Sequence, residues 1–190
     1  MAIRSFLAFE IPSEIRHILS TASEHGQAAL KDIRWVRVTN IHLTVVFMGN
    51  VEEAVVGKIK DAAKKTCAQY EPFSIRVKGA GLFGGRRNPR VLWMGLEGDL
   101  DRMSGFRQDL QTGLIPFGIQ AEDRPFRPHL TLGRFRKGAR MGPALDGFLS
   151  KYREVESPEG ILRELVLFRS NLKPGGAVYA KLGAWPLGKQ

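Results

Sequence analysis

His42-Leu43-Thr44 and His129-Leu130-Thr131 are the same tripeptide. Each lies in a short apolar run, Ile41 to Phe47 and Pro128 to Gly133, rich in the branched and large apolar residues that favour β-strands. On a strand, residues i and i+2 share a face. His42 and Thr44 therefore face one way with Leu43 and Val45 opposite, and His129 and Thr131 face one way with Leu130 and Leu132 opposite. Each strand presses an aliphatic pair into a core and shows an imidazole and a hydroxyl to a cleft. The chain has only 4 histidines, and shuffling its composition yields two such matches with odds on the order of 10⁻⁴. A single His-x-Thr is most often a half-buried, hydrogen-bonded histidine; the duplication is what points to chemistry.

Two imidazoles across a cleft form a general acid/base pair. An ordinary histidine titrates near ~6.5, so one ring can be neutral while the other is protonated. That state suits in-line displacement at phosphorus, with a base on one side of the phosphate and an acid on the other. Two threonine hydroxyls can donate to the non-bridging oxygens. Arg127 and Arg134 flank the second motif, and a guanidinium suits bidentate phosphate binding. Two histidines can also serve a metal, but zinc or iron wants a third protein ligand, and no carboxylate accompanies either tripeptide at ligand spacing. A Ser or Cys nucleophile with one histidine as base lacks its strand–turn–helix signature and leaves the twin threonines unexplained. The expectation is a site without metal or cofactor.

The elements that position these residues are read from periodicity. Residues 3–11 read as a strand, and Ser13 as the cap of a helix with an apolar stripe on Ile15, Ile18, Leu19 and Ala22. His17 and His25 on that helix are expected to face solvent. The first motif strand should end at Gly49-Asn50. A helix is expected from Glu52 to Tyr70, a strand from Pro72 to Val77, a glycine-rich mobile loop or hairpin end from Gly79 to Asn88 and a strand from Val91 to Gly95. A third helix spans Asp99 to Leu114, Phe117 to Arg127 is irregular, and a short helix covers Gly142 to Leu149. Ile161 to Phe168 and Ala177 to Leu182 are strands joined by a turn at Lys173-Pro174-Gly175-Gly176. The repeated tripeptide predicts two similar lobes, each a mostly antiparallel sheet with helices, and a pseudo-two-fold axis that brings the motif strands face to face.

Length and composition bound the rest. A chain of 190 residues buries roughly 70% of its unfolded surface and needs no disulfide or metal staple. Cys67 is the only cysteine, which suits a reducing cytoplasm. The opening apolar run is broken by Glu10 and Pro12, so it does not read as a signal peptide. No apolar stretch approaches the ~20 residues of a membrane span. A net charge of +10, from 29 Lys+Arg against 19 Asp+Glu, favours a polyanionic partner, nucleic acid first.

These residues resemble the two-histidine (2H) phosphoesterase superfamily, and within it the bacterial and archaeal RNA 2′,3′-cyclic phosphodiesterases, historically called 2′-5′ RNA ligases. The resemblance runs nearly end to end: Arg4 to Pro12, Trp35, the motif His42 to Gly49, Pro89 to Trp93, the motif Arg127 to Arg134, and Leu167 to Leu172 with Gly176 and Tyr179. It implies one bilobal α+β domain over 1–190 with the site between the lobes. It also implies opening of a 2′,3′-cyclic phosphate at an RNA 3′ end to a 2′-phosphomonoester, with His42 the proton donor and His129 the acceptor. Some members join tRNA halves through a 2′-5′ linkage at the same site in reverse. The natural partner is then an RNA with a cyclic phosphate end, tRNA fragments included; separately, the chain is expected to be a cytoplasmic monomer. Arg127, Arg134, Phe47, Arg90 and Tyr179 are the candidate substrate contacts. Phe47 and Trp93 can stack on a base, although a core position is the more frequent use of a strand aromatic. Val46 stands where relatives often carry Lys, and Arg86-Arg87 make the glycine-rich segment unusually basic. Two other readings remain: an RNA-binding protein with an inactive cleft, and a phosphodiesterase for a small cyclic nucleotide phosphate.

Overall fold

The computed structural model describes residues 1–85, 87–173 and 176–188. The chain is α+β. Strand β1 (Ala2–Glu10) leads to helix α1 (Ser13–Ala29), a short β2 (Ile33–Trp35) and β3 (His42–Glu52). Helix α2 (Val56–Cys67) precedes the long hairpin β4 (Phe73–Gly85) and β5 (Asn88–Gly98). Then come α3 (Leu100–Leu114), β6 (His129–Phe135), α4 (Pro143–Lys151), β7 (Gly160–Leu162), β8 (Glu164–Lys173) and β9 (Gly176–Pro186). The strands form two antiparallel sheets, ordered β3-β1-β8-β9 and β2-β6-β5-β4-β7. Among the described residues, no helix is long and apolar enough to cross a membrane.

One motif strand lies in each sheet, and each arrives by the same route. β1 runs into α1 and returns as β3, antiparallel beside β1. β5 runs into α3 and returns as β6, antiparallel beside β5. The helices exchange sides: α1 packs against α4 and β7, while α3 packs against α2 and β3. Leu7, Phe9, Leu43, Val45, Leu92, Met94, Leu130 and Leu132 from both sheets thus share one core cluster with Ile15, Leu19, Phe106 and Leu110 of the helices. On its other face the first sheet carries a small separate cluster, Phe6, Ala8, Val166 and Phe168, with Tyr179 against it. β1 is apolar on both faces because both are covered.

The structure departs from the sequence reading at several places, and the helix expected from Glu52 begins at Val56 because Glu52 still pairs with Ala2 in the sheet. Ser13 does not cap α1; its hydroxyl donates to Glu14, and Pro12 occupies the cap position. β3 runs past Gly49-Asn50 to Glu52 because its backbone still pairs with Ser5, Arg4, Ile3 and Ala2. Of the two readings of Gly79 to Gly85, the hairpin end holds and the loop does not: the segment is strand, paired with β5 up to Gly85 and Asn88. Glycine is needed there because the Trp93 indole lies over its cross-strand partner Gly81, 2.3 Å from where a Cβ would sit. The expected strand Ile161 to Phe168 breaks at Arg163, where the chain leaves β4 in one sheet and joins β1 in the other. His25 does not face solvent: its ring packs on Phe148 and Tyr152 at 5.8 Å. The expected turn at Pro174-Gly175, and Arg86, lie outside the described residues.

Candidate active site

The sheets meet over a cleft of about 970 Å³, lined by His42, Thr44, His129, Thr131 and Arg134 among others. Both motif strands present their residues through the same irregularity. In the pairing of β3 with β1, Leu7 faces Val46 but Ala8 faces Thr44, so Val45 is an extra residue. In the pairing of β6 with β5, Leu92 faces Gly133 but Trp93 faces Thr131, so Leu132 is extra. Each is a β-bulge on the third residue after the histidine, and a bulge re-aims the side chains beyond it. Burial repeats accordingly: His42 to Phe47 and His129 to Arg134 both run half-buried, buried, half-buried, buried, buried, exposed. Phe47 and Arg134, each five residues beyond its histidine, thereby return to the cleft face.

The histidines are anchored alike. His42 Nδ1 lies 2.8 Å from the Asn40 carbonyl and His129 Nδ1 2.8 Å from the Arg127 carbonyl. A carbonyl only accepts, so Nδ1 carries the proton in both rings and Nε2 is left to give or take one. The Asn40 amide also donates to the Ala177 carbonyl at 3.2 Å, which ties the β8–β9 hairpin to the first histidine. The His42 ring stacks on Phe6 with centroids 4.7 Å apart and meets the edge of Tyr179 at 5.2 Å. Phe83 meets His129 edge-on at 4.7 Å.

Burial lowers the pKa of both histidines from the ordinary value, opposed by the carbonyl bonds, which favour the protonated rings. The Arg134 guanidinium lowers both further, and His129 adds a smaller push on His42. Burial raises the Tyr179 phenol, so it stays protonated. Among the described residues, no group of three His, Cys, Asp or Glu side chains converges as a metal would need.

Of the residues singled out from sequence, His42, Thr44, His129, Thr131, Arg134, Phe47 and Tyr179 are brought together in the cleft. Phe47 is 50% exposed, with the Arg4 guanidinium 4.8 Å over its ring. Trp93 is half-buried over Gly81 and does not line the cleft. Arg90 and Arg127 are outside the lining, and Arg127 acts there through its carbonyl alone. The sequence reading missed Phe6, Phe83, Arg4 and Asn40. It also missed Arg107, a buried α3 side chain whose Nε donates to the bulge carbonyl of Val45 at 3.2 Å. Arg107 Nη2 also pairs with Glu122 at 3.2 Å, and its guanidinium covers Phe126, so it ties the first bulge to the segment that leads into His129. The only sequence signal for it is a cation standing four residues after Met103, on the apolar stripe of α3.

Two strand–helix–strand units, each contributing one His-x-Thr strand to a common cleft, are the architecture of a two-histidine phosphoesterase. Comparison with known proteins leads to the same class. The profile described as "LigT like Phosphoesterase" matches residues 9–93 and again 97–179, with one His-Leu-Thr in each segment, and the chain belongs to that family. A Methanothermobacter thermautotrophicus protein named RNA 2′,3′-cyclic phosphodiesterase is 32% identical over 187 residues, covering 98% of this chain and 100% of the relative. A protein of the same name from Thermotoga maritima is 28% identical, covering 95% and 93%. The crystal structure of TT0787 of Thermus thermophilus superposes with a TM-score of 0.81 at 26% identity, covering 98% and 99%. The E. coli LigT complex with 3′-AMP has a TM-score of 0.70 at 22% identity over 98% of each chain and shares the fold.

Proposed function

We propose that this chain hydrolyses 2′,3′-cyclic phosphate ends of RNA to 2′-phosphomonoesters without a metal. The observation that carries the reading is the matched anchoring of His42 and His129, which commits both Nδ1 atoms and leaves two Nε2 atoms to share the proton transfers. His129 Nε2 takes a proton from water as the water oxygen attacks phosphorus. The bond from phosphorus to O3′ breaks in line, and His42 Nε2–H protonates the departing O3′. The histidines end with their protonation exchanged and reset through solvent. Thr44 and Thr131 donate to the non-bridging oxygens, and Arg134 balances the charge that gathers there. The substrate's own negative charge favours the imidazolium that burial and Arg134 disfavour, so binding loads the acid. Phe47 and Tyr179 offer faces to the terminal base. Attack on the cyclic phosphate by an RNA 5′ hydroxyl in place of water gives 2′-5′ ligation at the same site. The names of the relatives support the substrate, and the net charge of +10 supports a polyanion.

The test is turnover of an RNA oligonucleotide with a cyclic phosphate end, in chelator, by the wild type and by His42→Ala and His129→Ala. Each variant should lose on the order of 10²-fold or more. Full turnover by either overturns the two-histidine scheme.

A further inference from the structure

The second sheet continues past the cleft. In the pairing of β2 with β6, Ile33 faces Phe135, Arg34 faces Arg134 and Trp35 faces Gly133. Ile33 and Phe135 turn to the main core, and Trp35 lies over Gly26 of α1. Arg34 therefore stands on the opposite face, the face that carries His129, Thr131 and Arg134. Val36, two residues further on, lines the cleft itself. Arg34 and Arg134 are directly opposed across neighbouring strands, where Cα atoms sit about 4.5–5.5 Å apart. Like charges in that position repel. Among the described residues neither guanidinium has a carboxylate partner, although acidic side chains pair with other cations elsewhere on the chain. Two unneutralised guanidinium groups side by side, one at the reacting phosphate and one a strand further out, suit a ligand with two successive phosphates.

We infer that Arg34 forms a subsite for the phosphodiester immediately 5′ of the cyclic end, beside the site where Arg134 meets the reacting phosphate. The inference rests on the proposed function for the identity of the ligand. It makes the enzyme prefer a cyclic end that belongs to a chain over the same end on a single nucleoside.

The experiment compares cytidine 2′,3′-cyclic phosphate with the cytidylyl-cytidine dinucleotide that ends in the same group. The wild type should show the higher kcat/KM on the dinucleotide, and Arg34→Ala should cut that preference about tenfold, the effect of one charged hydrogen bond. The slope of log kcat/KM for the dinucleotide against log salt should fall in magnitude by about 0.7, the value for one contact to a single strand. Arg34→Lys should keep the slope. No preference in the wild type, an unchanged preference in Arg34→Ala, or equal loss on both substrates overturns the subsite. If the wild type turns over neither substrate, the proposed function fails and the subsite is judged by binding. The dinucleotide carrying a 3′-phosphate should then lose about tenfold more affinity than cytidine 3′-phosphate on Arg34→Ala; equal losses overturn it.

Discussion

Phe6→Ala separates the roles of the two histidines without touching either. Phe6 is almost wholly buried and stacks on His42 at 4.7 Å and on Phe168 at 5.2 Å, with Tyr179 edge-on at 5.1 Å. Truncating a buried Phe costs about 3–5 kcal/mol. The small cluster around Phe6 adjoins the cleft, so water can fill the space and the cost should be near the lower bound. With an m-value of about 2 kcal/mol/M, a loss of about 3 kcal/mol moves the urea midpoint down by about 1.5 M. The same water reaches His42, and burial is the main cause of its lowered pKa. That pKa should rise toward the ordinary 6.5. If His42 is the acid, activity falls as pH rises through its pKa, so the alkaline limb of the kcat/KM profile should move to higher pH. The acidic limb belongs to His129, which packs on Phe83 instead, and should stay. The assay is kcat/KM against pH below the unfolding transition, beside a urea titration. A shift of the acidic limb alone would reverse the roles, and two unmoved limbs would refute burial as the cause.

Two other perturbations concern buried charge. Arg107→Met keeps the packing on Phe126 but removes the bonds to the Val45 carbonyl and Glu122. It should cost about 1.5–3 kcal/mol in a urea titration, the usual range for a hydrogen bond to a charged group, and lower kcat more than it raises KM, because it loosens both bulge and loop. Both cleft histidines have folded pKa values below the ordinary one, so the unfolded chain binds their protons first. Their contribution to stability is complete above about pH 6.5 and is lost as pH falls through the depressed values. The double variant His42→Gln/His129→Gln should flatten that part of the stability profile, as read by chemical unfolding across the acid range.

The motif strands were legible because their alternation is regular up to the threonine: His42 and Thr44 face the cleft, and Leu43 and Val45 the core. Beyond it, a period of two would carry Gly133 to the cleft and Arg134 to the core. The bulge at Leu132 reverses this, and a bulge is a property of the pairing with β5 rather than of the six residues themselves. Gly79 to Gly85 left loop and hairpin end undecided because glycine is common in turns. Here it answers to the Trp93 ring on the neighbouring strand, a partner no local window contains. Strand Ile161 to Phe168 looked continuous because its composition is, while the break at Arg163 is set by which sheet edge each half reaches. Phe47 illustrates the opposite case: an aromatic in an apolar run reads as core, yet a bulge and the edge of the cleft leave it half exposed.

The proposed reaction is the opening of a cyclic phosphate on one defined side by two histidines without a metal. Phosphorus NMR of an RNA oligonucleotide with a 2′,3′-cyclic phosphate end, incubated with the protein in chelator, tests it in one spectrum. The cyclic resonance should be replaced by that of a 2′-phosphomonoester. A 3′-phosphomonoester would contradict the placement of His42 on the departing 3′ oxygen, and an unchanged cyclic resonance would contradict the reaction itself.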